Sequence, residues 1–144
     1  MKRQPIVGFA SEHFDVVNPF HTRLNGFAAP HRIQVVGRPT EGRERRFTLN
    51  FNSPQKTIFH FNPRFDDNVV VMNSKRKHWS SEERKHQIFE VDEIFTLEFF
   101  AENGAIAVYH NGEHYCTFQL RDSCHEIEEF QIFGDVDIHS VHVF

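Results

Sequence analysis

The stretch that decides the fold is residues 95–120, FTLEFFAENGAIAVYHNGEHYCTFQL. Apolar and polar side chains alternate through Phe95–Phe99 and again through Cys116–Leu120, which is the period of a strand with one buried face. Two Asn-Gly pairs, at 103–104 and 111–112, separate these runs. Both residue types tolerate the positive φ that a tight hairpin turn needs, so each pair predicts a hairpin. We therefore expect three consecutive antiparallel strands across this stretch.

The same pattern continues on both sides of this stretch. Phe47–Phe51 alternates in the same way, Ile33 and Val35 form a short run, and Val136–Val143 forms a closing one. The chain has 17 Phe against one Trp and two Tyr, and Phe favours the half-buried surface of a strand. Turn signals recur about every ten residues, as in β-sandwiches. We predict an all-β fold, one antiparallel β-sandwich formed by a single domain over residues 1–144.

Composition and charge exclude several classes of function. The 144 residues carry 16 Lys and Arg against 20 Asp and Glu, a net charge of −4, whereas a general nucleic-acid-binding protein needs a basic surface. The apolar runs are far shorter than the roughly 20 residues that cross a bilayer as a helix, and no apolar segment of a secretory signal follows Met1–Arg3. Cys116 and Cys124 lack the spacing of a metal site or a disulfide framework. We expect a soluble protein without metal or cofactor that neither binds nucleic acid nor enters a membrane.

The segment that carries binding chemistry is residues 58–84. On a strand, the period of two places His60, Asn62 and Arg64 together on the face opposite the apolar side chains. Pro63 has no N–H, so it suits an edge strand or a local break in the sheet, where a groove can open. This part of the chain therefore predicts a row of three polar side chains that faces solvent.

Further polar and aromatic side chains follow this row. Asn73 ends an apolar run, Trp79 is the only tryptophan, and Glu82 and Arg84 share one face of an extended segment. A hexose has hydroxyls around its edge and a patch of C–H bonds on one face. A flat indole covers that patch, while Asn, Arg and carboxylate groups hydrogen-bond the edge. We expect Arg64 and Glu82 to hold each other in place before a ligand arrives. These residue types predict a shallow sugar-binding groove.

Three segments resemble the carbohydrate-recognition signature of the galectins, His60–Phe65 (HFNPRF), Val70–Ser74 (VVMNS) and Trp79–Arg84 (WSSEER). The likeness includes the strand Phe47–Phe51 and extends over Pro5–Phe144. The resemblance implies a jelly-roll sandwich of two antiparallel sheets, of the concanavalin A-like type, with the sugar lying across the concave sheet. It implies neither a metal nor catalysis.

The resemblance also implies which residues bind galactose. His60, Asn62 and Arg64 match the residues that bind the axial 4-hydroxyl. In glucose this hydroxyl is equatorial, so the buried polar groups of the site are left unpaired, which explains the selectivity.

The resemblance assigns the remaining site residues as well. Asn73 and Glu82 match the residues that bind the 6-hydroxyl, and Trp79 matches the indole beneath the C–H face of galactose. Glu82 and Arg84 match the pair that reaches the second sugar.

The chain departs from the family pattern near the second sugar. Ser80 stands where galectins usually have Gly after the tryptophan, and the stretch from Arg64 to Asn73 is shorter than in vertebrate members, as it is in nematode galectins. The second sugar (glucose, N-acetylglucosamine or fucose) therefore stays open. Arg46 matches a position that contacts extended glycans in some members. With Lys75–Lys77 nearby in sequence, it gives the hypothesis that sulfated or sialylated galactosides bind better than neutral ones.

Two alternatives to a lectin make different demands on the sequence. The first is a galectin-fold protein with altered or lost galactoside affinity that acts through protein contacts, which Ser80 and the short loops favour. The second is a glycosidase, which needs two carboxylates about 5–10 Å apart across one bond. Glu82 and Glu83 are adjacent on a presumed strand and diverge, so we expect no enzyme.

The resemblance also bears on partners and location. The expected partners are β-galactoside glycans of glycoproteins and glycolipids. Galectins occur in the cytosol and also outside the cell by a non-classical route. Because one shallow site binds weakly, family members combine several sites, either as a homodimer through terminal strands or as two domains on one chain. Both alternatives stay open for this chain.

Overall fold

The computed structural model describes residues 10–144, most of which lie in twelve β-strands. The predicted start of the resemblance at Pro5 lies outside the described residues. In chain order the strands are β1 (Ser11–Val16), β2 (Phe20–Arg23), β3 (Arg32–Pro39), β4 (Phe47–Asn52), β5 (Thr57–Arg64), β6 (Val69–Lys75), β7 (Glu83–His86), β8 (Phe95–Glu102), β9 (Ala105–His110), β10 (Glu113–Gln119), β11 (Glu129–Gly134) and β12 (Val136–Val143). A single 3-10 turn, Cys124–Glu126, precedes β11 within this part of the chain.

The strands form two six-stranded sheets in which every neighbouring pair is antiparallel. The first sheet has the order β1-β12-β3-β8-β9-β10, and the second has the order β2-β11-β4-β5-β6-β7. Strands β8 to β10 pair with their neighbours in sequence, whereas β11 and β12 return to pair with strands from the beginning of the chain. This arrangement confirms the predicted all-β sandwich.

The two hairpins predicted across residues 95–120 are present. Strand β8 pairs with β9, and β9 pairs with β10. The φ angles are 71° at Gly104, 50° at Asn111 and 85° at Gly112. Positive φ at both central residues of the second turn suits a two-residue hairpin, because this geometry matches the twist of the paired strands. The Asn-Gly pairs therefore set the order of three strands of the first sheet.

Phenylalanine rings fill the space between the two sheets. The ring centroid of Phe51 lies 5.9 Å from that of Phe59, 5.3 Å from that of Phe99 and 5.0 Å from that of Phe130. Phe59 of the second sheet stacks on Phe118 of the first sheet at 4.5 Å. Full burial of one such side chain contributes roughly 1.5–3 kcal/mol. The unusual Phe content therefore reflects the core that joins the sheets.

Strand β5, which carries three of the predicted site residues, is an inner strand of the second sheet. The edge-strand alternative for Pro63 is therefore wrong, whereas the predicted break in the sheet is correct. The pairing of β4 with β5 ends at Leu49 and Phe61 and resumes only as an isolated bridge between Arg46 and Arg64. Pro63 lies in this gap, where its missing N–H is tolerated.

The remaining expectations about class concern cysteines, metals and membranes. Cys116 is buried, Cys124 is half-buried against the core, and both are free thiols. Between residues 10 and 144, no group of three or more His, Cys, Asp or Glu side chains is arranged to hold a metal ion. No helix in the described part of the chain has the length and apolar character needed to cross a bilayer.

Candidate functional site

One groove lies on the second sheet, over β4, β5 and β6. All of the predicted site residues except Arg84 line it, together with four further residues. The full lining is Arg46, Thr48, His60, Asn62, Arg64, Val71, Asn73, Trp79, Ser80, Glu82 and Phe133. The polar side chains of its floor are almost completely buried by their neighbours, and Glu82 is the one carboxylate among these lining residues. The floor is therefore built before any ligand is present.

Asn62 is held by the gap that Pro63 leaves in the sheet. By register, Phe47 stands opposite Pro63, so its carbonyl receives no N–H from that residue. The Nδ2 atom of Asn62 donates to the Phe47 carbonyl at 2.8 Å and to Oγ1 of Thr48 at 3.1 Å. The Oδ1 atom of Asn62 then accepts from Nε of Arg64 at 2.8 Å. The proline therefore explains why the Asn62 amide turns its oxygen toward the arginine.

His60 has its orientation set by the neighbouring strand β4. Its Nδ1 atom lies 2.8 Å from Oδ1 of Asn50, and Nδ2 of Asn50 donates to Oε1 of Gln131 at 3.1 Å. Because an amide oxygen only accepts, Nδ1 carries the proton and Nε2 of the neutral ring is an acceptor. Burial, followed by the positive charge of Arg64, lowers the pKa of His60 to about 4. The imidazole is therefore neutral at pH 7.

Asn73 comes from the end of β6 and is only 3% exposed. Its Oδ1 atom accepts from the backbone N–H of Ser74 at 2.8 Å and from Nη1 of Arg121 at 3.0 Å. Its Nδ2 atom donates to the carbonyl of Ser80 at 3.0 Å. The amide is therefore fixed with its donor side toward the loop that follows β6.

Trp79 stands on the loop between β6 and β7 and is 49% exposed. Its ring centroid is 4.6 Å from that of His60, and Nζ of Lys75 lies 5.3 Å from the indole centroid. A large aromatic side chain that remains half-exposed beside buried polar groups offers an apolar surface to a ligand.

Glu82, which lines the groove, forms a local ion pair with Arg84. Nε of Arg84 donates to Oε2 of Glu82 at 2.9 Å, which agrees with the prediction that they share a face. The predicted pairing of Glu82 with Arg64 is wrong, because Arg64 donates to Asn62 instead. Two residues that are two positions apart at the start of β7 pair with little ordering cost. Arg84 does not line the groove and adjoins it through Glu82.

Arg46 lines the groove next to Arg64, and its Nη2 atom is 3.8 Å from Oδ2 of Asp66. The basic residues after β6 are arranged differently. Arg76 does not line the groove, and its Nη2 atom donates to Oδ1 of Asp122 at 3.0 Å. Of the cations proposed for anionic sugars, Arg46 therefore lines the groove and Arg76 does not.

Sequence reasoning missed four residues of this site. Thr48 and Asn50 had a signal, because the alternation that buries Phe51 places them on the opposite, polar face of β4. Phe133 and Arg121 had none. Strand β11 brings Phe133 opposite Thr48 across 85 residues of chain, and Arg121 reaches the end of β6 from the segment after β10.

The arrangement suits reversible binding of a polar ligand. Arg64 and Asn73 supply donors, His60 and Glu82 supply acceptors, and the indole of Trp79 supplies an apolar face. Because Glu82 is the one carboxylate in the lining, the groove lacks the pair of acids that glycoside hydrolysis uses.

A family model described as galactoside-binding lectin matches residues 19–143. The chain is 35% identical to a 32 kDa beta-galactoside-binding lectin of Caenorhabditis elegans over 129 residues, which are 87% of this chain and 46% of that protein. It is 30% identical to Galectin-3 of Cricetulus longicaudatus over 128 residues, 85% of this chain and 52% of that protein. The chain thus spans about half the length of the curated relatives it matches.

Solved structures show the same fold. The Caenorhabditis elegans galectin LEC-6 is 35% identical and superimposes with a TM-score of 0.90 over 96% of this chain and 99% of that chain. Sheep Galectin-11, at 20% identity and a TM-score of 0.82, shares the fold over 90% of this chain and 99% of that chain. These matches confirm the predicted jelly-roll sandwich. The matched proteins are described as lectins, which agrees with the expectation that the chain is not an enzyme. The chain belongs to the galactoside-binding lectin family, the galectins.

Proposed function

We propose that the groove binds β-galactosides. The observation that supports this most directly is the row of His60 and Arg64 beside the half-exposed indole of Trp79. His60 and Arg64 both line the groove, and the indole of Trp79, which supplies a flat apolar surface, lies 4.6 Å from the imidazole of His60 between ring centroids. A pyranose with its polar edge on the row and its C–H face on the indole satisfies both surfaces.

In this proposal, His60 and Arg64 bind the axial 4-hydroxyl of galactose. Nε2 of neutral His60 accepts a hydrogen bond from this hydroxyl, while the guanidinium of Arg64 donates one to its oxygen. Asn62 has both Nδ2 hydrogens engaged by Phe47 and Thr48. The resemblance implied that Asn62 binds the hydroxyl itself. We propose instead that it acts chiefly by holding Arg64.

The other site residues bind the rest of a disaccharide. Asn73 and Glu82 bind the 6-hydroxyl, and Arg84, oriented by Glu82, reaches the second sugar. Ser80 provides the carbonyl that orients Asn73. Its backbone role is therefore compatible with a side chain at a position that is usually Gly in the family.

Calorimetric titration tests this function. We expect lactose to bind with a Kd of roughly 0.1–1 mM, equivalent to about −4 to −5.5 kcal/mol, and maltose not to bind. Trp79→Ala should abolish measurable lactose binding. Ile94→Ala, which removes an exposed apolar side chain outside the groove, should not change it. No heat with either sugar would reject the function and favour the alternative, a galectin fold that acts through protein contacts.

Arg46 is our candidate for a subsite that accepts longer or anionic glycans. It is half-exposed, it lines the groove, and its counter-ion Asp66 is at the long distance of 3.8 Å. We expect 3-O-sulfated lactosamine to bind better than neutral lactosamine at low salt, and Arg46→Ala to remove the difference. Equal binding of the two glycans by the wild-type protein at two salt concentrations would exclude this preference.

Glycans of glycoproteins and glycolipids, in the cytosol or outside the cell, are the proposed partners, and weak single sites favour a multivalent form. Among the described strands β1 lies at one edge of the first sheet, and Phe14 on this strand and Val17 just after it are 64% and 79% exposed. We propose that residues 1–144 form one carbohydrate-recognition domain that dimerises through this edge. Sedimentation should show a dimer that dissociates in a Phe14→Ser, Val17→Ser variant, whereas a monomeric wild type would reject it.

A further inference from the structure

The loop that carries Trp79 and Glu82 has no apolar anchor of its own. Its residues, Arg76–Glu82, are all exposed, and two backbone hydrogen bonds close its base, from Ser80 to the carbonyl of Ser74 at 2.9 Å and from Arg76 to the carbonyl of His78 at 3.3 Å. Exposed loops without buried side chains are among the least stable parts of a fold. Contacts from outside the loop are therefore needed if the indole is to keep one position.

Arg121, which follows β10, joins the two strands that flank this loop. At the end of β6 its Nη1 atom donates to Oδ1 of Asn73 at 3.0 Å and to Oγ of Ser74 at 3.1 Å. At the other end of the loop its Nη2 atom donates to the carbonyl of Ser81 at 2.8 Å and to Oε2 of Glu83, the first residue of β7, at 3.2 Å. One guanidinium therefore fixes the distance between the two ends of the loop.

The ring of Phe118 supports this guanidinium from below. The Cζ atom of Arg121 lies 5.1 Å from the centroid of that ring, and Phe118 is completely buried in the core. A guanidinium that rests on an aromatic face and uses both terminal nitrogens has little rotational freedom left. The loop is thus connected to the core through Arg121.

Asp122 holds the first residue of the same loop. Its carboxylate is 7% exposed, and its Oδ1 atom accepts from Nη2 of Arg76 at 3.0 Å and from Nζ of Lys56 at 3.4 Å. Lys56 belongs to the connection between β4 and β5, and it also donates to Glu126 at 3.1 Å. Charge-assisted hydrogen bonds to a largely buried carboxylate are among the stronger polar contacts in proteins. The adjacent residues Arg121 and Asp122 therefore hold both ends of the loop.

We propose that Arg121 and Asp122 are positioning residues for ligand binding, which fix Trp79 and Asn73 from outside the groove. The inference rests on the proposed sugar-binding function. Neither residue lines the groove. Because a guanidinium has donors only, Arg121 also forces Asn73 to present its Oδ1 to it and keeps Nδ2 on the side of Ser80. Groups that are already ordered bind more tightly, because less conformational freedom is lost on association.

Fluorescence and affinity together test this proposal, since Trp79 is the only tryptophan in the chain. We expect the lactose Kd to rise about tenfold in Arg121→Ala and about threefold in Asp122→Asn. Without ligand, the indole of both variants should become more accessible to acrylamide. Arg38→Ala is the matched control, because it removes a 2.6 Å ion pair with Asp137 on the first sheet. It should change neither quantity.

The outcomes separate a positioning role from a loss of overall stability. Thermal melting identifies variants that fold, and if Arg121→Ala does not fold, Asp122→Asn, which keeps the side-chain volume, decides. Unchanged quenching in a folded variant would overturn the proposal whatever its affinity. Arg76→Gln should reproduce the effect of Asp122→Asn, and the double variant should add little to either. If the wild-type protein does not bind lactose, the sugar-binding function fails, while quenching still decides whether the pair holds the loop.

Discussion

The Nδ1 atom of His60 lies 2.8 Å from Oδ1 of Asn50, and this contact connects the groove to a hydrogen-bonded row across the second sheet. Oε1 of Gln131 accepts from Nδ2 of Asn50 at 3.1 Å and from Nδ2 of Asn52 at 2.7 Å. The side-chain nitrogen of Asn50 is thereby directed to Gln131 and its oxygen to the histidine. Residues of β4 and β11 thus determine that Nε2 of His60 is the nitrogen with a free lone pair, which is available to a ligand.

Lactose binding should be almost unchanged between neutral pH and about pH 5.5, where an ordinary imidazole is about 90% protonated. Burial, then the charge of Arg64 and to a smaller extent that of Arg46, lower the pKa of His60 to about 4, against the opposing effects of Asn62 and Glu82. The ring therefore remains an acceptor over this range. Titration calorimetry at the two pH values measures the effect. A tenfold weaker affinity at the lower pH would mean that His60 titrates normally.

Asn50→Asp should make binding sensitive to mild acid. A carboxylate at the position of the amide oxygen, close to Nδ1 of His60, stabilises the imidazolium and should raise its pKa by about 1–2 units. The ratio of lactose affinities at the two pH values should then increase. Asn52→Asp is the matched control, because Asn52 donates to Gln131 and not to the histidine. An equal pH response in the two variants would contradict the assigned contact.

The lowered pKa of His60 should also make the stability of the folded protein depend on pH. The unfolded histidine has the ordinary value of 6.5, whereas the pKa of His60 in the folded protein is lowered to about 4. Between these values the unfolded chain binds more protons, so stability is lost as pH falls. We expect the wild type to lose about 3 kcal/mol relative to His60→Gln over this interval. Urea unfolding at both ends of the interval measures it, and parallel curves would exclude the lowered pKa.

Most of the fold follows from local patterns in the sequence. Alternation identifies a strand and its buried face within five residues, as at Phe47–Phe51, and the two Asn-Gly pairs order β8, β9 and β10. The pairing of β11 with both β2 and β4 has no such signal, because it joins segments from opposite ends of the chain. The pairing of β11 depends on how the whole sandwich packs, and the alternation within a single strand does not describe this packing.

The residues of the candidate site also fall into two groups, those that local sequence patterns predict and those that depend on contacts between distant segments. His60 and Asn62 were predicted because a strand with a period of two places them on one face. The partnership of Glu82 was predicted wrongly, because opposite charge alone does not say which arginine is near. The contribution of Arg121 was not predicted, since it depends on where the segment after β10 lies relative to β6 and β7. Residues that line the groove are thus easier to predict from the sequence than residues that hold them in place from outside it.

Gly134 sets the place where β4 begins, next to Arg46. Its φ is +103°, and a Cβ atom at this position would lie 2.8 Å from the Arg46 carbonyl oxygen and 2.8 Å from Cα of Phe47. Both neighbours are backbone atoms, so neither moves without displacing the strand. We expect Gly134→Ala to destabilise the protein by about 2–4 kcal/mol, as urea unfolding measures it.

Gly104→Ala separates backbone strain from this close contact. Gly104 also has a positive φ, +71°, but a Cβ atom there would meet nothing within 4 Å. The expected cost is therefore that of the left-handed conformation alone, about 1–2 kcal/mol. Gly104 lies in a turn of the first sheet, so its replacement should leave lactose affinity unchanged. Gly134→Ala, by contrast, should also weaken lactose binding, because Arg46 and Thr48 shift with β4. Equal losses of stability in the two variants, with equal affinities, would show that the approach of β11 to β4 does not constrain the groove.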